Sequence, residues 1–375
     1  MQAKSKFIKG LKYTVFATNI VAIILLLLSV SAWAIVPSKV TFVAYLGLGF
    51  PFILVLNVIY LIIWLIFWRW RYALVQLIVL LLCWSSIFTY FPVHRKTKAH
   101  DIPESSIKIL TYNVRGFNWI NGKKALDNPI LNYIAASGAD IVCMQEFAVT
   151  SRNDNSSIIS EKEFNKIMKD YPYRSILRLG NRTGSTLYGI ACYSKFPINK
   201  SALLPIESTY NGAGIYEINI KGKPVTLVNI HLESNRINAE DKKLYKNFLT
   251  NSTDRQTFDQ VTNNIQERLG VAYKKRERQA DLIANYIEQQ DTNATIVCGD
   301  FNDTPISYAY HKIKGDMTDA FANTGLGQGI TYHENRFWFR IDFIMHSLAF
   351  ESYNCTVDKV KYSDHYPVHT YLHFK

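Results

Sequence analysis

The first 100 residues of this 375-residue chain contain no aspartate and no glutamate. They hold ten of its 42 lysines and arginines, which leaves 32 basic and 30 acidic side chains after residue 100, a net of +2. The formal charge of +12 therefore belongs to the N-terminal region. It does not mark the remainder as a nucleic-acid binder, which would need a basic patch of its own. Cysteine is scarce as well. Cys83, Cys143, Cys192, Cys298 and Cys355 stand singly, and none forms a Cys-x-x-Cys pair. That spacing gives no support to a zinc or dithiol site and leaves the thiols as small buried residues. Internal repeats and low-complexity segments are absent too. The length suits two domains of ordinary size.

What the first 100 residues do have is length of apolar sequence. Three runs, about 13–36, 40–68 and 72–91, each reach or exceed the roughly 20 residues needed to cross a hydrocarbon core. No charge lies at the centre of any run, and Trp33, Trp64, Trp68, Trp70 and Tyr72 sit near run ends, as interfacial aromatics do. Pro51 is expected to kink the second run. Asn19, Asn57 and Gln76 are expected to hydrogen-bond between helices. The expectation is a lipid bilayer as partner, crossed by three transmembrane helices within residues 1–91. Lys4, Lys6, Lys9 and Lys12 of the tail and Arg69 and Arg71 of the second connection outnumber Lys39 of the first connection and Arg95, Lys96 and Lys98 after the third run. By six to four, the positive-inside rule puts the tail in the cytoplasm and everything after residue 92 on the extracytoplasmic side. Ala32-Trp33-Ala34 has the form of a signal-cleavage site, but the apolar stretch before it is long for a signal peptide. Cleavage there would leave the C-terminal domain on the same side.

Residues 92–106 read as a linker, and from residue 107 to 375 the pattern changes. Short apolar segments, "IKILTYNV", "DIVCMQEF", "YGIACYSKF", "YEINI", "VTLVNIHLE", "ATIVCGDF", "IDFIMHS" and "VHTYLHF", are bounded by Gly, Asn, Asp or Pro and read as strands. "NPILNYIAASGAD" has helical spacing and ends at Gly138. The stretch 235–290 is polar and ends in a helix with Ala280, Ile283, Ala284 and Ile287 on one face. Its "KKRER" run reads as a solvated face rather than a phosphate site. The fold class expected is α/β, with two packed sheets and helices outside.

Polar residues recur at the ends of these strands. Asn113, Glu146, His231, Asp300 with Asn302, Asp342, and the pair Asp364-His365 all occupy such positions. If the ends converge, they form one polar cleft on a rigid scaffold. Carboxylate and amide oxygens without thiolates favour a hard cation, Mg²⁺ or Mn²⁺. A hard cation beside two imidazoles suits hydrolysis of a phosphate ester, with a carboxylate to deprotonate water and an imidazole to serve the phosphoryl oxygens or the leaving group. Asp303 and Thr304 read as turn formers, and His311, His333, His346 and His369 as structural. Arg340 is open between the two.

The ordered segments "TYNVRG", "MQEF", "YGIACYSKFPI", "NIHLES", "GDFND", "RIDFIM" and "SDHYPV" resemble the endonuclease/exonuclease/phosphatase superfamily over roughly 107–375. The resemblance implies a four-layer α/β sandwich of two mixed sheets and a divalent-metal phosphohydrolase, most simply a phosphodiesterase. It implies Glu146 as principal metal ligand, with Asn113 and Asp364 completing or bordering that site. Asp300 would position the attacking water, Asn302 would bind phosphate, and His365 would contact the scissile phosphate or act as base with Asp342 fixing its tautomer. His231 matches the second imidazole of the deoxyribonuclease and sphingomyelinase branches, where it is the proposed leaving-group acid. Apurinic endonucleases use a tyrosine there. Arg115 stands where some nucleases of the family carry an acid, which argues against a second metal and leaves Arg115 free to meet phosphate. The substrate could be a phospholipid headgroup, nucleic acid or a soluble phosphate ester. The competing reading is a catalytically inert, membrane-bound scaffold on the same fold.

Overall fold

The computed structural model describes residues 2–121, 127–151, 158–180, 184–235, 255–290, 294–334 and 338–375. Among the described residues, twelve strands form two six-stranded sheets. The first runs β11 (Phe350–Val357), β12 (Val368–Phe374), β1 (Ile107–Asn113), β2 (Ile141–Thr150), β4 (Thr186–Ser194), β3 (Tyr173–Arg178). The second runs β5 (Ile198–Leu203), β6 (Gly212–Ile220), β7 (Lys223–His231), β8 (Thr295–Asp300), β10 (Asp342–His346), β9 (Thr318–Asp319). Both sheets are mixed: β1–β2 and β7–β8 are parallel, while the other ladders are antiparallel. Ile109, Cys143, Cys192, Leu227, Cys298 and Ile344 are fully buried between the sheets. All five cysteines are buried and free.

Helices close the outer faces. Residues Pro129–Ala136 and Glu161–Ile167 cover the first sheet through Ile130, Ile134 and Phe164. Asn128 starts the former by accepting hydrogen bonds from the Ile130 and Leu131 amides, with Pro129 pre-set for the first helical position. The helix Arg255–Glu288 covers the second sheet with the expected Ala280, Ile283 and Ile287. The result is the four-layer α/β sandwich.

The KKRER stretch of that helix is a solvated face only in part, through exposed Lys274 and Arg278. Arg276 is buried, with Nε 3.1 Å from Asp303 Oδ2. Asp303 is thus half of an internal ion pair rather than a simple turn former. Lys275 reaches Glu233 at 3.2 Å, and Glu277 is buried. Of the polar stretch 235–290, residues 236–254 lie outside the described residues.

Before the sandwich stand five apolar helices: α1 (Gln2–Val30), α2 (Thr41–Leu48), α3 (Phe50–Ile66), α4 (Trp70–Leu82) and α5 (Trp84–Tyr90). Among the described residues only α1 contributes an unbroken helix long and apolar enough to cross a membrane, over Lys12–Trp33. The other two runs pass that test only as bent pairs, α2–α3 at 66° and α4–α5 at 62°. Pro51 does not kink a continuous helix; it sits in the first turn of α3, where a missing amide costs nothing, and the bend falls at Gly49. Asn19, Asn57, Gln76 and Trp64 form one buried network. Asn19 Nδ2 donates to Gln76 Oε1, Gln76 Nε2 to Asn57 Oδ1, and Trp64 Nε1 to Asn19 Oδ1, each at 2.8 Å. These bonds tie α1, α3 and α4 together as expected.

The helical region is seated on the sandwich. Glu277 accepts from the Ser38 amide and hydroxyl at 2.7 and 2.8 Å. Buried Arg340 pairs with Asp319 at 2.7 Å and donates to the Thr89 carbonyl. Residues 92–106 are strapped down rather than loose, through His94 N to Gly325 O and a reciprocal pair between Thr97 and Asn354.

Candidate active site

Strand register builds the site. His231 ends β7, Asp300 ends β8 and Asp342 begins β10; His231 pairs with Asp300, and Asp300 with Asp342, so the three stand in one row across the second sheet. From the facing edge of the first sheet come Asn113, the last residue of β1, and Glu146 of β2. Glu146 sits where the β2–β4 register slips, between Met144 and Phe147. Its φ of +49°, with those of Arg115 (+46°) and Asn302 (+52°), puts three non-glycine residues of one site in the left-handed region. Strain of this kind gathers at functional sites. Gly299 is obligatory before Asp300, because a Cβ there would lie 2.0 Å from the Ile230 carbonyl oxygen.

The side chains converge. Asn113 Nδ2 donates to Glu146 Oε1 at 3.2 Å and to Asp300 Oδ2 at 2.9 Å, bridging the two sheets. His231 Nε2 lies 3.7 Å from Glu146 Oε1 and 3.9 Å from Asp300 Oδ2. His365 Nε2 lies 3.7 Å from the same Asp300 oxygen, and its Nδ1 bonds Asp342 Oδ2 at 2.9 Å. Asp300 thus stands between two imidazoles. Asn302 donates its backbone amide to Asp300 Oδ1 at 2.8 Å and one side-chain N–H to the Leu232 carbonyl at 3.0 Å, leaving its other side-chain N–H for a ligand. Asp364 stands at the rim, 3.4 Å from Arg115 Nη1. Arg115 is also paired with Glu334 at 3.0 Å, so in this state it is engaged by carboxylates. All eight residues picked from strand ends lie in this one region. His311, His346 and His369 have other neighbours, Trp33, Phe350 and Asp358, whereas His333 stacks on Tyr366 and donates its amide to the Asp364 carbonyl at 3.1 Å.

Several supporting residues carried no strand-end signal. Asn211 Nδ2 lies 3.3 Å from His231 Nε2 and donates to the Leu232 carbonyl at 2.8 Å. Thr331 Oγ1 accepts from the amides of Ile341 and Asp342 at 2.9 and 3.1 Å, while its carbonyl accepts from Tyr366 N at 2.6 Å. It therefore clamps the Asp342 strand to the Asp364–His365 loop. The Tyr332 ring packs edge-on to His365, centroids 5.0 Å apart. These residues lie in loops of mixed polarity, where single-sequence periodicity is silent.

Electrostatics separates the roles. Burial raises Glu146. Burial, then the Asp342 charge, pushes Asp300 up to about 6. Burial alone would strip the proton from His365, but Asp342 and Asp300 outweigh it and hold the imidazolium up to about 10. Burial lowers His231 in spite of Asp300. One imidazole is kept charged and the other neutral, the divergence expected of acid–base partners.

A divalent cation fits the donor set. Four carboxylates (Glu146, Asp300, Asp342 and Asp364) face two cationic groups, Arg115 and His365, and no thiolate is among them. A pocket with this surplus of negative charge and only oxygen donors besides imidazole suits a hard ion. Ligand atoms of Asp300, Asp342 and His365 all fall within 4.8 Å of one another. That trio is better read as an ion-paired hydrogen-bond chain, since the 2.9 Å contact uses the proton that an ion would have to displace. Half-buried Glu146 and Asp364 are the two of the four carboxylates open to a ligand.

The profile of a domain of unknown function matches residues 12–90. No curated protein matches the chain. Among solved structures, humanised D. rerio TDP2 carrying 14 mutations superposes with a TM-score of 0.50 at 15% identity, covering 72% of this chain and 100% of that one. The human Nocturnin catalytic domain with bound sulfate gives 0.48 at 16%, covering 73% and 96%. An endonuclease/exonuclease/phosphatase from Bacteroides vulgatus gives 0.46 at 19%, covering 72% and 99%. At such identities the likeness concerns the fold alone. The profile of the Endonuclease/Exonuclease/phosphatase family matches residues 110–365, the whole span from β1 to His365, and the chain belongs to that family.

Proposed function

We propose that the chain is a membrane-anchored phosphodiesterase that uses Mg²⁺ or Mn²⁺ and hydrolyses its substrate by attack of water. Members of the family are typically metal-dependent phosphodiesterases or nucleases. The observation that carries the reading is the row His231–Asp300–Asp342 facing Asn113 and Glu146 across the sheets, with His365 joined to it through Asp342.

Glu146 would hold the ion, with Asn113 Oδ1 and Asp364 bordering it; the ion would supply charge neutralisation for the phosphoryl or leaving oxygen. Asp300, ionised above about 6, orients and deprotonates the water. His365, kept cationic by Asp342, donates through Nε2 to the developing phosphoryl charge. Asn302 adds its remaining amide N–H. His231 is neutral at rest; the negative charge of a bound phosphodiester favours its protonated form, from which it serves the leaving oxygen.

The division of the chain into a helical region 1–91, a connection 92–106 and a catalytic region 107–375 belongs to the same proposal, as does an extracytoplasmic site. Trp33 packs on His311, and Arg340 binds Thr89, so both of those helix ends lie at the sandwich. Phe16, Trp64 and Tyr72 cluster with one another, toward the ends bearing Lys12, Arg69 and Arg71. This is the arrangement that six-to-four charge bias would orient.

The test is hydrolysis of a generic aryl phosphodiester by the full chain with Mg²⁺ or Mn²⁺. His231→Ala and Asp300→Ala should each lower kcat by about 10²–10⁴-fold. Equal turnover in EDTA and in Mg²⁺ would contradict the reading.

A further inference from the structure

The catalytic residues form only one wall of their cavity. The cavity measures about 440 Å³, and Glu146, Asp300, Asn302, Asp364 and His365 line its polar side. Its other side is apolar: Leu48 of α2, Ile265, Leu269 and Tyr273 of the long helix Arg255–Glu288, and Phe339 with Ile341. A site that handled only a small hydrated phosphate would gain nothing from that second wall.

Leu48 is present by construction. Helix α2 is docked against two neighbours. Tyr45 donates its hydroxyl to the Gln266 carbonyl at 2.8 Å, and its ring lies 5.8 Å from that of Tyr273. Gly270 leaves room for that hydroxyl, since a Cβ there would lie 2.7 Å from it. Gly47 lets α2 close on Ala32, where a Cβ would meet Ala32 Cβ at 2.8 Å. A 66° break at Gly49 separates α2 from α3. Helix α3 starts at Phe50 and carries exposed apolar side chains, with Phe52 75% and Val55 57% exposed in its first two turns. Leu48, which lines the cavity, thus stands two residues before an exposed apolar helix.

We infer that the substrate is an amphiphile, a phosphodiester whose apolar chain lies between Leu48 and the Ile265–Leu269 face while its phosphate meets the catalytic row. This rests on the phosphodiesterase reading and names its substrate class. The apolar group enters from the helical region, and the first 90 residues shape the specificity of the site as well as holding it at a bilayer. Burying each methylene of the chain removes it from water and is worth about a fourfold gain in kcat/KM, or about 60-fold over three.

The experiment uses the full chain in nanodiscs with Mg²⁺ and a series of monomeric p-nitrophenyl alkyl phosphates from methyl to octyl, with thymidine 5′-p-nitrophenyl phosphate beside them. The expected result is a rise in kcat/KM with chain length to a plateau, the octyl ester exceeding both the methyl and the nucleoside ester. Leu48→Gln and Ile265→Gln, at half-buried positions, should cut the octyl-to-methyl ratio at least fivefold. A ratio near one, a preference for the nucleoside ester, or a ratio unchanged in both variants would overturn the inference; the last would assign the gain to partition into the bilayer. If no ester is hydrolysed, or if His231→Ala retains the wild-type rate, the phosphodiesterase reading itself fails and takes this inference with it.

Discussion

Replacing Asp342 by asparagine isolates one electrostatic link. The substitution keeps the size of the side chain and an oxygen acceptor for His365 Nδ1, and removes only the charge. In the native site that charge lies 2.9 Å from the imidazole, and both groups are buried. Burial opposes the imidazolium, so the rise to about 10 is a balance in which Asp342 is the largest favourable contribution and Asp300 the second. An opposite charge at this range moves a pKa by about 1–3 units. At about 1.4 kcal/mol per unit, that is about 1.4–4 kcal/mol of preference for the charged ring. In Asp342→Asn, His365 should therefore lose its proton about 1–3 units lower than in the native protein. With the His365 imidazolium as the proposed donor, the alkaline limb of the pH profile should move to lower pH. The acid limb moves the same way, because the Asp342 charge helps push Asp300 up to about 6. Histidine-selective NMR titration of the metal-free protein reads the first shift directly, and the pH dependence of kcat/KM reads both. A His365 midpoint in the variant within about half a unit of the native value would refute the reasoning, as it falls below the smallest shift expected for such a charge.

Further outcomes follow from other contacts. Asn211→Ala removes the group that holds His231 Nε2 and the Leu232 carbonyl. It should lower kcat about ten- to hundredfold through misorientation while KM moves little, and steady-state kinetics checks the split. Arg276→Met leaves Asp303 buried and unpaired beside Asn302. Removing one partner of a buried pair costs about 3–5 kcal/mol, which denaturant unfolding will show as a large fall in midpoint. A loss below about 1 kcal/mol would mean the pair is solvated in solution.

The legible part of this fold was its interior. The eight apolar segments became β1, β2, β4, β6, β7, β8, β10 and β12, which carry neighbours on both sides. The four strands with no such segment, β3, β5, β9 and β11, are the four sheet edges. β3 and β5 bury none of their residues fully, so no apolar run marks them. Whereas Glu146 lies inside β2 at a register slip, the strand-end positions of Asn113, His231, Asp300 and Asp342 were likewise readable, because polar atoms at the end of an apolar run need a reason. Their mutual register was not, since pairing β8 with both β7 and β10 is a property of the sheet and leaves no local trace. Arg276 misled for a related reason. A charged run looks solvated until a distant carboxylate, here Asp303, is folded onto it. The bend of the second run was expected at Pro51 and falls at Gly49, while the bend at Cys83 escaped a hydropathy reading, which measures the length of an apolar run and not its straightness.

The central claim is that Glu146 anchors a hard cation beside Asn113 and the two imidazoles. Mn²⁺ titration of the full chain, followed by the electron paramagnetic resonance signal of the free ion, tests it without any substrate. Uptake by the native protein should be saturable, lost in Glu146→Gln and retained in Asp170→Asn, an exposed carboxylate away from the site. Uptake of equal strength in Glu146→Gln and in the native protein would contradict it.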